Sequence, residues 1–299
     1  MPGTLARVAR ILGLAILLVL VGAILFVWLA SERRIKRRHA VEASPVTPRT
    51  DSLGLARGRY LFSTLTCGLC HGDDGGGMVY FESGAMGTVA GPNLTSGRGG
   101  IAGERSDRDL VRAIRHGVKP DSTSLMVMPS EVFVHLSDAD LGAILGYLRS
   151  LPPVDRELPQ SGFGWMGRAL LSTGRMNILV AGKTPAFQPP PEVAPGPSRE
   201  YGRYLADISG CHGCHGFGLS GGAVAGPPGL PPASNLTPAG LINWTDADFR
   251  RALREGIGSG GAPIDTFMPW KAYRNFTDED ITALWEYLQS VPPRPFRGK

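Results

Sequence analysis

Residues Ile11–Ala30 form an apolar run of 20 residues without a charge, long enough to cross a bilayer as a helix and longer than the usual core of a cleaved leader. The rest of the chain is patterned in short amphipathic stretches, each opened by a polar cap. Ser106-x-x-Asp109, Ser137-x-x-Asp140, Thr245-x-x-Asp248 and Thr277-x-x-Asp280 read as capping boxes with Asp in the acidic place. Behind the first, Leu110, Ala113 and Ile114 keep the i, i+3, i+4 spacing of one buried face, and Gly117 supplies a left-handed stop. Phe249, Ala252, Leu253 and Gly256 repeat that arrangement. Pro152-Pro153 and Pro292-Pro293 close the last helix of each series, since proline cannot continue the hydrogen-bond ladder. Little alternates with the period of a strand. The pattern therefore predicts an all-α protein with an N-terminal transmembrane helix and long Gly/Pro-rich loops.

The helical stretches belong to an internal repeat. "GRYL" occurs at Gly58–Leu61 and at Gly202–Leu205. Gly91-Pro92 with Asn93-Leu94-Thr95 finds a looser counterpart in Gly226-Pro227 with Asn235-Leu236-Thr237, and Met128-Pro129 matches Met268-Pro269. Four segments follow: 1–50, an anchor with a basic juxtamembrane stretch; 51–153, a first domain; 154–197, a Pro/Gly-rich linker; and 198–299, a second domain. The apolar stretch Phe163–Ala181 inside the linker either packs on a domain or meets a partner or the membrane.

The chain has four cysteines, all in two copies of C-x-x-C-H: Cys67, Cys70 and His71, then Cys211, Cys214 and His215. That spacing is the c-type haem attachment signature, in which two thiols bond the haem edge and the next imidazole ligates iron. The 140 residues between Cys70 and Cys211 are far more than a structural zinc site places between its two pairs. Two local disulfides would leave both trailing histidines unexplained. The expected cofactors are two covalently bound haems c.

In these motifs and their repeat the chain resembles membrane-anchored diheme cytochromes c built of two class I cytochrome c domains, similar to cytochrome subunits of periplasmic dehydrogenases. An electron-carrying haem needs a second axial ligand. Met128 and Met268 occupy one repeat position before proline, where the family places that ligand; Met126 is a local rival to Met128. The resemblance also implies that the carbonyls of Pro92 and Pro227 accept the free N–H of His71 and His215. His212, between the second pair of cysteines, is expected to point away from iron, and His116 and His135 read as surface groups or groups behind the ligands.

The implied function is electron transfer, with no catalytic activity of the chain's own. Partners would be a dehydrogenase, a quinol-oxidising complex or a terminal oxidase. Two alternatives stand beside it: a subunit of a dehydrogenase or haem-copper oxidase complex, and a diheme peroxidase-like enzyme, against which two saturating methionines argue. The net charge is +5, yet residues 1–50 alone carry +6 and 198–299 carry none. Nucleic acid is therefore not an expected partner. Arg33, Arg34, Lys36, Arg37 and Arg38 follow the apolar run, while only Arg7 and Arg10 precede it. Charge alone would put the domains in the cytoplasm; the family attaches haem on the outer, periplasmic side of the cytoplasmic membrane, and that side is the expectation.

Overall fold

The computed structural model describes residues 2–183, 190–224, 226 and 229–297. Its helices, in chain order, are α1 (Pro2–Ile35), α2 (Ser52–Thr64), α3 (Gly68–His71), α4 (Asp107–His116), α5 (Ser130–Phe133), α6 (Asp138–Ser150), α7 (Trp165–Thr173), α8 (Arg199–Ile208), α9 (Cys211–His215), α10 (Asp246–Glu255), α11 (Trp270–Tyr273) and α12 (Asp278–Ser290). α1 is long and apolar enough to cross a membrane. Helices α2 to α6 and α8 to α12 repeat one arrangement, in which the first and last helices of each set cross.

The "GRYL" repeat serves that crossing. Gly58 lies so close to α6 that a Cβ would stand 2.0 Å from the Ala143 carbonyl oxygen, and Gly202 would meet Ala283 at 1.9 Å. Only hydrogen fits at either place. The arginines, Arg59 and Arg203, face solvent, and Leu61 and Leu205 are fully buried. A single apolar cluster runs through both domains, joining Leu61, Leu136 and Leu145 to Leu205, Phe276 and Ile281.

Three of the four predicted caps are complete boxes, at Ser106, Thr245 and Thr277. At Ser137 only half forms: its hydroxyl accepts from Asp140 N at 3.1 Å, but the Asp140 carboxylate is drawn away by other groups, described below. Gly117 (φ 64°) and Gly256 (φ 70°) take the left-handed conformation that ends α4 and α10.

The chain is broadly helical, as expected, with one small sheet beside the helices. β1 (Met78–Ser83) and β2 (Gly87–Gly91) form an antiparallel hairpin, and β3 (Gly162–Phe163) pairs with β2 through Gly87↔Phe163 and Thr88↔Gly162. These strands are short, and β2 meets β3 only through a segment some 70 residues away in sequence, a pairing that local periodicity cannot reveal. The segment after Pro153 is correspondingly not a free spacer at its start. Asn93 Nδ2 donates to the Val154 carbonyl at 2.7 Å, Arg156 pairs with Asp74 at 2.9 Å, and α7 buries Leu171.

Candidate functional site

Each C-x-x-C-H sits on a one-turn helix, α3 or α9, entered from a left-handed residue. In the second domain that residue is Gly210 (φ 76°); in the first it is Thr66 (φ 63°), a β-branched side chain that pays about 1 kcal/mol for the conformation. Helical spacing i, i+3, i+4 then sets Cys67, Cys70 and His71 on one face, and Cys211, Cys214 and His215 likewise.

The histidines are oriented by backbone carbonyls. His71 Nδ1 lies 3.0 Å from the Pro92 oxygen, and His215 Nδ1 lies 2.7 Å from the Ser234 oxygen. A carbonyl can only accept, so each Nδ1 carries the proton and each Nε2 keeps its lone pair. Pro227, expected in this role, lies outside the described residues, and Ser234 holds the position. The repeat is registered by Asn-Leu-Thr and not by Gly-Pro. Pro92 and Ser234 each immediately precede that tripeptide, whereas Pro227 lies eight positions before Asn235.

The tripeptide itself is a lock. Asn93 Oδ1 accepts from Thr95 N at 2.9 Å and Thr95 Oγ1 at 2.8 Å, and Asn235 does the same with Thr237 at 2.9 and 2.8 Å. The amide nitrogens then tie the chain beyond each Pro pair, Asn93 to Val154 and Asn235 to the Arg294 carbonyl at 2.8 Å. These Asn-x-Thr sequences are thus built into the fold.

Burial decides the protonation of the donors. It pushes the thiols of Cys67 and Cys211 up to about 12, and raises those of Cys70 and Cys214. It lowers both His71 and His215 below the ordinary imidazole value, and the carbonyl contacts offset it in part. Neutral imidazoles and uncharged sulfurs suit thioether attachment and iron ligation. Packing agrees with that use: a Cβ on Gly91 would stand 2.0 Å from the Cys70 carbonyl, so the hairpin rests directly on α3. Trp270 Nε1, two residues beyond Met268, is buried with no acceptor among the described residues, a donor suited to a bound anionic group.

Met128 and Met268 are partly buried and pack against the shared core, as do Cys67 and Cys211. Met126 is held differently. It forms a bridge with Leu179, and Val127 between the two methionines takes φ 65°. His212 Nε2 pairs with Asp207 at 3.0 Å, and His135 is exposed. His116 is not at the surface: it is 6% exposed.

Sequence reasoning missed what joins the two sites. Tyr60 and Tyr204, equivalent in the two "GRYL" motifs, cross the interface in opposite directions. The Tyr60 hydroxyl donates to Asp280 of the second domain, and Tyr204 donates to Asp140 of the first at 2.8 Å. Arg57 forms a bidentate pair with Asp140 at 2.8 and 2.7 Å and donates to the hydroxyl of Tyr201, its own repeat equivalent, at 3.1 Å. The domains are thus related by a local pseudo-two-fold. Burial pushes the Tyr201 hydroxyl up to about 12 and raises Tyr60 and Tyr204, so all three stay protonated. α5 touches α8, and α11 touches α2. Since α5 follows Met128 and α8 leads to Cys211, each domain's methionine loop abuts the helix that enters the other's attachment site. Val132 stands 3.3 Å from where a Gly210 Cβ would be, next to Cys211. Repetition of Tyr and Asp in matched motifs was the signal available for this pairing.

Comparison with known proteins agrees with this geometry. The cytochrome c family profile matches residues 55–152 and 200–292. The chain is 28% identical over 285 residues to the fructose dehydrogenase cytochrome subunit of Gluconobacter japonicus, covering 87% of this chain and 57% of that one. It is 27% identical to the cytochrome c subunit of the quinone alcohol dehydrogenase of Gluconacetobacter polyoxogenes, covering 83% and 58%. A diheme cytochrome c-type protein of Cereibacter sphaeroides is 29% identical, over 79% of this chain and 86% of that one. The chain therefore spans little more than half the length of the first two relatives. A family profile that fits each half separately, around an attachment helix of its own, leaves one assignment: the chain belongs to the cytochrome c family and carries two covalently bound haems c.

Proposed function

We propose that the chain is the electron-transfer subunit of a membrane-bound dehydrogenase acting on small hydroxylated substrates such as alcohols, sugars or sugar acids. The relatives named as cytochrome subunits of a fructose and an alcohol dehydrogenase, and a further one named for gluconate 2-dehydrogenase in Pantoea cypripedii, support that donor. Each bound haem takes up and releases one electron. The chain's own residues supply the rest. His71 and His215 ligate through Nε2, their Nδ1 protons held on the Pro92 and Ser234 carbonyls. Met128 and Met268 would be the second ligands, and their thioethers, with the apolar core they pack on, would favour the reduced iron and leave no open position for small molecules. α1 is a retained anchor, with both domains on the periplasmic side.

The observation that carries this reading is the cross-contact of the two sites through one core. A pair of haems fixed in that way is suited to passing electrons along the chain. The test uses membranes from cells with and without this chain. Adding the substrate of the associated dehydrogenase should reduce both haems in the first membranes, and electron flow to the acceptor should stop in the second. Unreduced haems in the presence of an active dehydrogenase would refute the pairing.

A further inference from the structure

α1 does not leave the folded body where its apolar run ends. Val27, Ala30, Glu32 and Ile35 are half-buried and Ser31 is fully buried, because α7 packs along these last turns. Arg168 of α7 fixes the contact, donating to Glu32 at 2.8 Å and to Ser31 Oγ at 3.1 Å. That clamp lies immediately after Ala30, the end of the charge-free run. A helix spanning the bilayer over that run therefore carries α7 to the level of the headgroups.

At that level α7 presents an unusual outer face. Leu171 points into the protein, while Trp165 is 69% and Met166 39% exposed. At the other end of α7, Arg34 reaches to 3.7 Å of a Cβ position on Gly174, the C-cap, and Arg33, Arg37 and Arg38 of the same basic run are exposed. An exposed tryptophan at one end of a helix and cations at the other suit a membrane interface.

We propose that α7 and the basic run after α1 form one platform that lies on the bilayer, with Trp165 and Met166 between headgroups and acyl chains and the arginines on anionic headgroups. The five basic residues then serve the surface on which the domains rest and do not mark the cytoplasmic side. α7 follows β3 directly, β3 pairs with β2, and β2 rests on α3. The platform thereby sets the first haem site at a fixed height above the membrane. This inference rests on α1 spanning the bilayer.

The test places p-benzoylphenylalanine, one substitution at a time, at position 165, at position 18 within α1 and at position 242, where the exposed Ile242 lies in the second domain. The full haem-loaded chain is reconstituted in phosphatidylcholine–phosphatidylglycerol nanodiscs and irradiated, and its peptides are weighed. The peptides carrying positions 165 and 18 should each gain the mass of one phospholipid, and that carrying 242 should not. A lipid adduct at 18 but none at 165 overturns the platform alone. Absence at both overturns the anchor and the platform with it. In native membranes, an adduct between position 165 and another polypeptide would also overturn the proposal, giving this face to a protein partner.

Discussion

The two haem domains share their helices, caps, histidine locks, crossing glycines and reciprocal Tyr–Asp bonds, yet they differ in what surrounds those shared parts. The first carries a hairpin between its attachment helix and its Asn-Leu-Thr lock, and through β3 and α7 that hairpin connects to the anchor. Among the described residues the second has no strand there, and one bridge joins Gly222 to Ala233. At the interface the first supplies Arg57 where the second supplies Tyr201, so Asp140 faces a cation while Asp280 faces a tyrosine and its own cap. What haem attachment requires is held constant, and what docking requires has diverged.

The largest effect should come from breaking one attachment site. Changing Cys67→Ala together with Cys70→Ala should halve the covalent haem per chain, measured by pyridine haemochrome, and leave the second domain's spectrum intact. Next are the sulfurs. Met268→Ala should lower the potential of its haem by a sizeable part of the roughly 0.8 V that axial ligands span. The reduced variant should bind carbon monoxide, and the parent should not. Met128→Ala should do the same to the first haem, and Met126→Ala should leave both potentials in place. Rapid peroxide turnover by the unmodified protein would favour the peroxidase alternative instead.

The interface offers a sharper comparison. Asp140→Ala strands the mostly buried Arg57 guanidinium without its carboxylate and should cost about 3–5 kcal/mol in thermal unfolding. Asp280→Ala removes a cap and the acceptor of Tyr60 but strands no cation, and should cost about 2 kcal/mol. Equal losses would show that Arg57 adds nothing to the asymmetry.

A pH difference follows from His116, which the second domain replaces with the exposed Glu255. Burial, and then the charges of Arg115 and Arg112, lower the His116 pKa below its ordinary value. The folded state thus binds that proton less readily than the unfolded chain. This contribution is fully present above about pH 6.5 and is lost as pH falls from there toward the folded value, by at most about 1.4 kcal/mol per pH unit. His116→Gln should flatten the stability of the first domain over that range. The smallest effects belong to the caps they share: Ser106→Ala and Thr245→Ala should each cost about 1 kcal/mol, and by like amounts.

Much of the site was legible because covalent attachment imposes a fixed local grammar. Two thiols and an imidazole must share one helical face, so the spacing of Cys67, Cys70 and His71 announces the chemistry by itself. The histidine acceptors were harder. His71 and Pro92 are 21 residues apart, and His215 and Ser234 are 19 apart. In the second domain a Gly-Pro pair offered a false register.

The sequence by itself determined two haems, two helical domains, their caps and an apolar N-terminal helix, since each depends on residues within a few positions of one another. Only the tertiary structure decided the reciprocal Tyr–Asp bonds, the three-stranded sheet, the burial of His116 and the clamp of α7 on α1. Each of these joins residues far apart in the chain, such as Tyr60 with Asp280 and Arg168 with Glu32. Local pattern records which side of a helix is apolar; it does not record which distant surface will cover that side or which buried polar group will answer another.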